Sequence, residues 1–329
     1  MKNVFILFVS LLSLVSCSDS CDDGLDLSSI RKNVALERLD VQMRAVKSVG
    51  ELKSILKKDT DFSSIVIPSG APFEEFAYKL YRLSTDSILD SLYTEVDKQY
   101  ENNDVLNSEL ADLFAHIKYF YPTFEQPSVK GFVSAFGGYD LIQTEKTILI
   151  GLDYFLGPNP KYYDNNFPGY ILKYYTKEQL PVKVAMSISS RYNKVDLKDK
   201  SVLAHMIYYG KAFYFSQKMI PCVSDTVICE YSSKEIHLLD EDPAFVWEHF
   251  VSNKLFYNSD RAAIQKYIDD RPKTFEIGQN CPGRVGRWLG YEIVKSYMKE
   301  HPEITLQQLM DETDAKKIFN ESHYHPKSK

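Results

Sequence analysis

The chain has 329 residues, with 39 Lys and Arg against 45 Asp and Glu and a formal net charge of −6. No basic run tracks along it, which argues against a nucleic-acid partner. The 23 Tyr and 19 Phe point instead to a well-buried core with polar handles on many rings.

The N-terminus reads MKNVFILFVSLLSLVSC. Lys2 supplies a short positive region, and Val4 to Val15 is an apolar run too short for a resident membrane helix. The run closes on Leu14-Val15-Ser16-Cys17, the pattern of a bacterial lipobox. Residues 1–16 are therefore expected to be a signal peptide, and Cys17 the lipidated first mature residue, carrying palmitate-type acyl chains as a membrane anchor. Residues 17–29 are acidic, small and polar, and read as a flexible tether. Residues 30–320 show no convincing linker and are expected to form a single domain, followed by a disordered tail over 321–329. An outer-membrane location is expected, with the periplasmic and surface faces both open.

Along the body, Val34 to Asp40 alternates apolar and polar residues and predicts a strand. Ala71 to Asn103 carries helical periodicity in two pieces, broken near Ser84-Thr85-Asp86. Leu106 to Tyr121 predicts a helix stopped by Pro122. The period then drops to 2, so Val129 to Phe136 and Thr147 to Leu152 predict paired strands of a small antiparallel sheet, with Gly137-Gly138 supplying the positive φ of the connection. Tyr154 to Tyr175 reads as a long irregular loop. Helices are predicted over Pro181–Tyr192, Lys200–Met219, Pro243–Asn258, Ser259–Ile268, Pro282–Lys299, Thr305–Leu309 and Ala315–Asn320. The fold class is α+β and mostly helical.

The chemistry-bearing residues are sparse. In LAHMIYYGKAFYF, His205 stands where a zinc-peptidase helix H-E-x-x-H has its first ligand, but Met206 replaces the glutamate base and Tyr209 the second histidine. Catalytic zinc needs three protein ligands and an open position. None of the seven histidines stands four residues from another, so no metal and no cofactor is expected. No G-x-S-x-G elbow occurs. In PGRVGRWLGY, Gly283, Gly286 and Gly290 fall within about two turns. Glycine costs helix stability, about 1 kcal/mol relative to alanine, so these positions predict close backbone approach to another element. Arg284 and Arg287 are candidates for buried ion pairs or for anchoring a carboxylate. Cys222 and Cys229 flank a segment able to turn and form a possible disulfide; two unpaired thiols are the other reading.

Several blocks in order resemble one family. VALERLD, ELADLFAHIKYFYP, VKGFVSAFGGYDLI, ILIGLDYFLGPNPKYY, MIYYGKAFYF and PGRVGRWLGYEIVKSYM, spread over Val34 to Ile318, are similar to the gliding motility lipoprotein GldB family of Bacteroidetes. The resemblance implies a zincin-like helical scaffold without its metal motif, and no catalytic residues. It implies a non-catalytic envelope lipoprotein supporting gliding motility or type IX secretion-type machinery, or surface maintenance. The implied partners are envelope proteins or a peptide or glycan ligand. If an ancestral groove survives, His205, Tyr208, Tyr209 and Lys211 would wall it, completed by Asp153, Tyr154, Phe155, Arg284 and Trp288. The alternative is an envelope hydrolase, zinc-dependent and peptidase-like or of an unrecognised kind.

Overall fold

The computed structural model describes residues 23–138, 140–158 and 168–327. The expected signal peptide, the expected lipidation site Cys17, and Cys21 lie outside the described residues, as do positions 159–167 of the expected loop.

Strand β1 (Leu36–Arg38) runs straight into α1 (Leu39–Ala45), followed by α2 (Val49–Lys58), α3 (Thr60–Val66) and α4 (Phe73–Ser84). The expected strand is thus cut short: Leu39, Asp40 and Met43 bury one face of a helix instead. Ser48 caps α2 by accepting from the Glu51 amide, and Asp59 caps α3 by accepting from Phe62, each satisfying a donor that the helix leaves orphaned. The break at Thr85 separates α4 from α5 (Asp90–Gln99), and α6 (Asp104–Phe120) follows.

Strands β2 (Ser128–Phe132), β3 (Leu141–Gln143) and β4 (Thr147–Gly151) join β1 in a four-stranded sheet ordered β1-β2-β4-β3. The expected pairing of β2 with β4 exists, but its direction does not match. Val129 lies beside Ile148 and Gly131 beside Ile150 in parallel, β1 pairs with β2 in parallel, and β3–β4 alone is antiparallel. The connection after β2 makes no hairpin; it crosses to the far edge as β3, and the tight turn falls at Thr144, whose amide donates to the Thr147 carbonyl at 2.8 Å. That order leaves β4 inside the sheet, buried on both faces as parallel strands usually are.

Alternation then divides the core. Val129, Ile148 and Ile150 face the large helical cluster, whereas Phe132 and Leu149 face a smaller one with Leu39, Leu52, Leu56 and Phe62. The turn after β2 is held by Asp153, whose buried carboxylate accepts from the Ser134 amide and hydroxyl and the Phe136 amide at 2.8–3.0 Å. The positive φ values here belong to Ala135 (52°) and Phe136 (56°), not to the glycine pair.

The rest is helical: α7 (Gly169–Leu172), α8 (Leu180–Ser189), α9 (Val202–Met219), α10 (Asp225–Ile228), α11 (Ser233–Glu241), α12 (Pro243–Ser252), α13 (Arg261–Tyr267), α14 (Val285–Glu300), α15 (Leu306–Asp311) and α16 (Ala315–Glu321). Helix α9 is the axle, touched by α6, α8, α14 and α16 and capped by Ser201, whose hydroxyl accepts from the Ala204 amide. Both ends of the described chain make contacts with the body. Ser322 is buried, and the rings of Tyr324 and His325 pack on Trp247, so the expected disordered tail is packed through His325. At the other end Asp23 reaches the buried His116 of α6, with 3.1 Å between Oδ2 and Nε2. Asp23, within the expected tether, therefore touches the body.

Candidate functional site

Helix α9 carries the expected groove residues on two different faces. His205 and Tyr208, half-buried, line a cavity of about 230 Å³ with Lys211. Its other walls are the segment Lys194–Lys200, Ala204 and Ile207 of α9, and Glu312–Ala315. Val195 and Leu197 leave apolar surface exposed at this mouth, Leu197 at 75 %.

The His205 ring makes no hydrogen bond among the described residues, and burial lowers its pKa against the pull of Asp269. The neutral form is therefore favoured, with one ring nitrogen able to donate and the other to accept. Lys211 forms the cavity floor but offers no free charge. Its Nζ is buried and donates to the carbonyls of Lys194 (2.9 Å), Met310 (3.1 Å) and Glu312 (2.7 Å). Burial pulls its pKa down to about 8, against the opposing pull of Glu312 and Asp311.

On the opposite side of α9, Met206 is fully buried against α14, with Gly286 and Gly290 beside it. Tyr209 lies under the Arg287 guanidinium, 4.2 Å from its ring centre. The positions where a zinc peptidase needs a base and a second ligand are thus taken up by packing. Among the described residues, no group of three or more His, Cys, Asp or Glu side chains is placed to hold a metal ion.

The remaining expected groove residues do not join the cavity. Asp153 organises the turn after β2, Tyr154 donates its hydroxyl to the Gly138 carbonyl, and Phe155 and Trp288 are core. Arg284 belongs to a separate buried network. The preceding segment is pinned by Thr274, which donates to the Pro282 carbonyl, and by Tyr231, which donates to that of Gly283. Arg284 then takes a left-handed backbone (φ 59°) at the start of α14. Its guanidinium donates to the Glu230 carboxylate (2.5 Å) and carbonyl (2.7 Å), and lies 4.3 Å over the Tyr174 ring.

Glu230, also at positive φ (56°), takes a second ion pair from Lys183. Burial works to raise its pKa, but the two cations win and hold it at about 2. Asp270 approaches Arg284 and Arg287 at 3.5 and 3.7 Å. With both arginines engaged by carboxylates, this is an ion-pair lock rather than an anion site.

The expected Cys222–Cys229 bridge does not form. Cys229 is a buried free thiol, as Cys281 is a partly buried one, whereas Cys222 is disulfide-bonded. Cys229 ends the short helix α10 and points into the core, away from any role in a hairpin staple. Sequence reading missed the cavity's lip and Arg284's partners Glu230, Lys183 and Asp270. The lip reads as an ordinary polar loop, KVDLKD, and the three partners come from distant elements with no shared motif.

Among the described residues no helix is long and apolar enough to cross a membrane. No curated protein and no solved structure matches the chain. The family model described as gliding motility protein GldB matches residues 20–326. That span takes in every element from β1 to α16, and the chain belongs to the GldB gliding motility lipoprotein family.

Proposed function

We propose that this chain is a non-catalytic outer-membrane lipoprotein, anchored through Cys17. In this reading its body docks a protein of the gliding or type IX secretion-type envelope machinery at the cavity beside His205. The observation that carries the reading is the division of labour on α9. Met206 and Tyr209, at the positions chemistry would need, are spent on packing against α14. His205 meanwhile faces a cavity with exposed Leu197 and Val195 at its mouth.

A volume of about 230 Å³ falls below the usual range for small-molecule sites, roughly 300–1,000 Å³. It suits one or two side chains of a docked segment. Neutral His205 and the Tyr208 hydroxyl supply polar contacts, and the surrounding Lys194, Asp196, Asp199, Lys200 and Glu312 form a charged rim of mixed sign.

The test places a photo-crosslinking residue at Leu197 in the native host, with exposed Tyr78 of α4 as the control position. The expected result is one protein adduct from position 197 and none from 78. Leu197→Glu combined with His205→Phe should abolish both that adduct and complementation of a deletion strain, with the protein still folded. Full complementation by the double variant overturns the reading. Stoichiometric zinc in the purified protein, lost on His205→Phe, would replace it with a hydrolase.

A further inference from the structure

The sequence holds five cysteines: Cys17, Cys21, Cys222, Cys229 and Cys281. Cys229 and Cys281 are free thiols, while Cys222 is disulfide-bonded. Within one chain that leaves Cys17 and Cys21 as possible partners, and these two differ chemically. Cys17 closes the lipobox, and a sulfur held in a thioether to a diacylglyceryl group has no thiol to give to a disulfide. We infer that Cys222 is bonded to Cys21, four residues from the lipid anchor.

A second observation shows that the chain close to Cys21 meets the body. Asp23, two residues beyond Cys21, already rests on the body through His116. The chain therefore touches the folded domain at the first described residue.

The bond forms by oxidation in the envelope compartment, where such bonds persist. The two thiols lose two protons and two electrons, passed by thiol–disulfide exchange to the disulfide of an envelope thiol oxidase, which leaves as a dithiol.

The bond shortens the leash. With Asp23 as the outermost contact on the body, the six residues from Cys17 would span about 20 Å, at about 3.3–3.6 Å per residue. With Cys21 bonded, the reach from Cys17 is at most about 14 Å. Cys222 follows the C-terminal end of α9, whereas His205 lies near its N-terminal end. Fourteen residues separate His205 from Met219, about 21 Å along the helix axis. On this inference the anchor is leashed to the end of the fold's central helix that lies away from His205. The disulfide itself rests on the lipobox, and only the importance of this placement rests on the docking function proposed above.

The full-length lipoprotein, extracted from membranes in detergent, decides the matter. It is denatured without reductant, treated with N-ethylmaleimide, digested and sequenced by mass spectrometry. The expected result is a peptide pair linking Cys21 to Cys222, with the label on Cys229 and Cys281 only. Labelled Cys21, or a Cys17–Cys222 link, overturns the inference. So does a chain of doubled mass on a non-reducing gel. In Cys21→Ser, Cys222 should become a third labelled thiol with lipidation unchanged; Cys222 remaining unlabelled there also overturns it. The native-protein measurement stands even if that variant fails to accumulate.

Discussion

Gly210 of α9 and Gly290 of α14 meet backbone to backbone. A Cβ built on Gly210 would lie 2.3 Å from the Gly290 carbonyl oxygen, and one on Gly290 would lie 2.0 Å from that of Met206. Neither distance is tolerable, and the obstacle is main chain, which cannot rotate aside. Gly290→Ala gains about 1 kcal/mol in helix propensity but costs about 3 kcal/mol or more in overpacking. A net loss of about 2 kcal/mol is expected, seen as a melting temperature about 4 °C lower. Gly50→Ala is the control, because the new methyl meets only the Ser48 hydroxyl at 3.6 Å in the first turn of α2. It should leave stability unchanged or raise it by up to about 1 kcal/mol. Equal melting points for the two variants would remove the argument for close approach.

The Arg284–Glu230 pair makes a prediction about acid. Arg284→Met strands a buried carboxylate with Lys183 as its one remaining cation, a change that costs about 3–5 kcal/mol. The folded-state pKa of Glu230 is about 2, below its ordinary 4.5. The folded protein therefore holds on to the charged form, and the associated stability is complete above 4.5 and drains away as pH falls toward 2. Urea unfolding of wild type and Glu230→Gln at pH 7 and pH 3 measures this. The gap between them should shrink at pH 3, and a gap that is the same at both pH values contradicts the ion-pair account.

These two pairs mark the border of what the sequence discloses. The glycines of PGRVGRWLG announced the helix contact, because glycine inside a helix is a cost that needs a reason. Helix positions were legible because periodicity is local, yet α2 and α3 were missed, their caps at Ser48 and Asp59 being ordinary loop residues out of context. Strand direction was not legible. VKGF and TILIG have the same apolar pattern in either orientation, and the choice depends on β3 taking the outer edge. The left-handed residues Ala135, Phe136, Glu230 and Arg284 carry no local signal either, since hydrogen bonds from Ser134 and Phe136 to distant Asp153, or the mutual ion pair, hold them. Cysteine pairing failed for the same reason: spacing between Cys222 and Cys229 says nothing about which way each sulfur points.

The two free thiols should behave as buried reporters. Burial raises the pKa of Cys229 and lifts that of Cys281 to about 12. At pH 8 a thiol of pKa 12 is thiolate in about one molecule in ten thousand, and the thiolate is the reactive form. Native protein is expected to resist iodoacetamide over hours, with both thiols modified promptly in denaturant. Fast native labelling of Cys229 would mean that the α9–α10 corner opens far more readily than its packing implies.

Lys211 ties the cavity floor together, and pH exposes how. Lys211→Met keeps the side chain's length but leaves the Lys194 and Glu312 carbonyls without this donor; the Met310 carbonyl keeps the Lys194 amide at 2.9 Å. Unsatisfied buried acceptors cost about 1–3 kcal/mol, so the variant is expected to be less stable by about that amount at pH 7, even though it no longer buries a charge. The sign of the pH effect follows from the folded pKa of about 8 lying below the ordinary 10.5. Between those values the unfolded chain binds a proton that the folded one has released, so the wild-type contribution of Lys211 grows as pH rises. The neutral amine still donates to carbonyls, without the desolvation cost of the ammonium. The stability gap between wild type and Lys211→Met should therefore widen by about 2 kcal/mol from pH 7 to pH 9.5. Tyrosine and thiol titrations are common to both proteins and cancel in the difference. A gap that narrows over that range would show that the ammonium, not the hydrogen-bonded amine, is what the three carbonyls require.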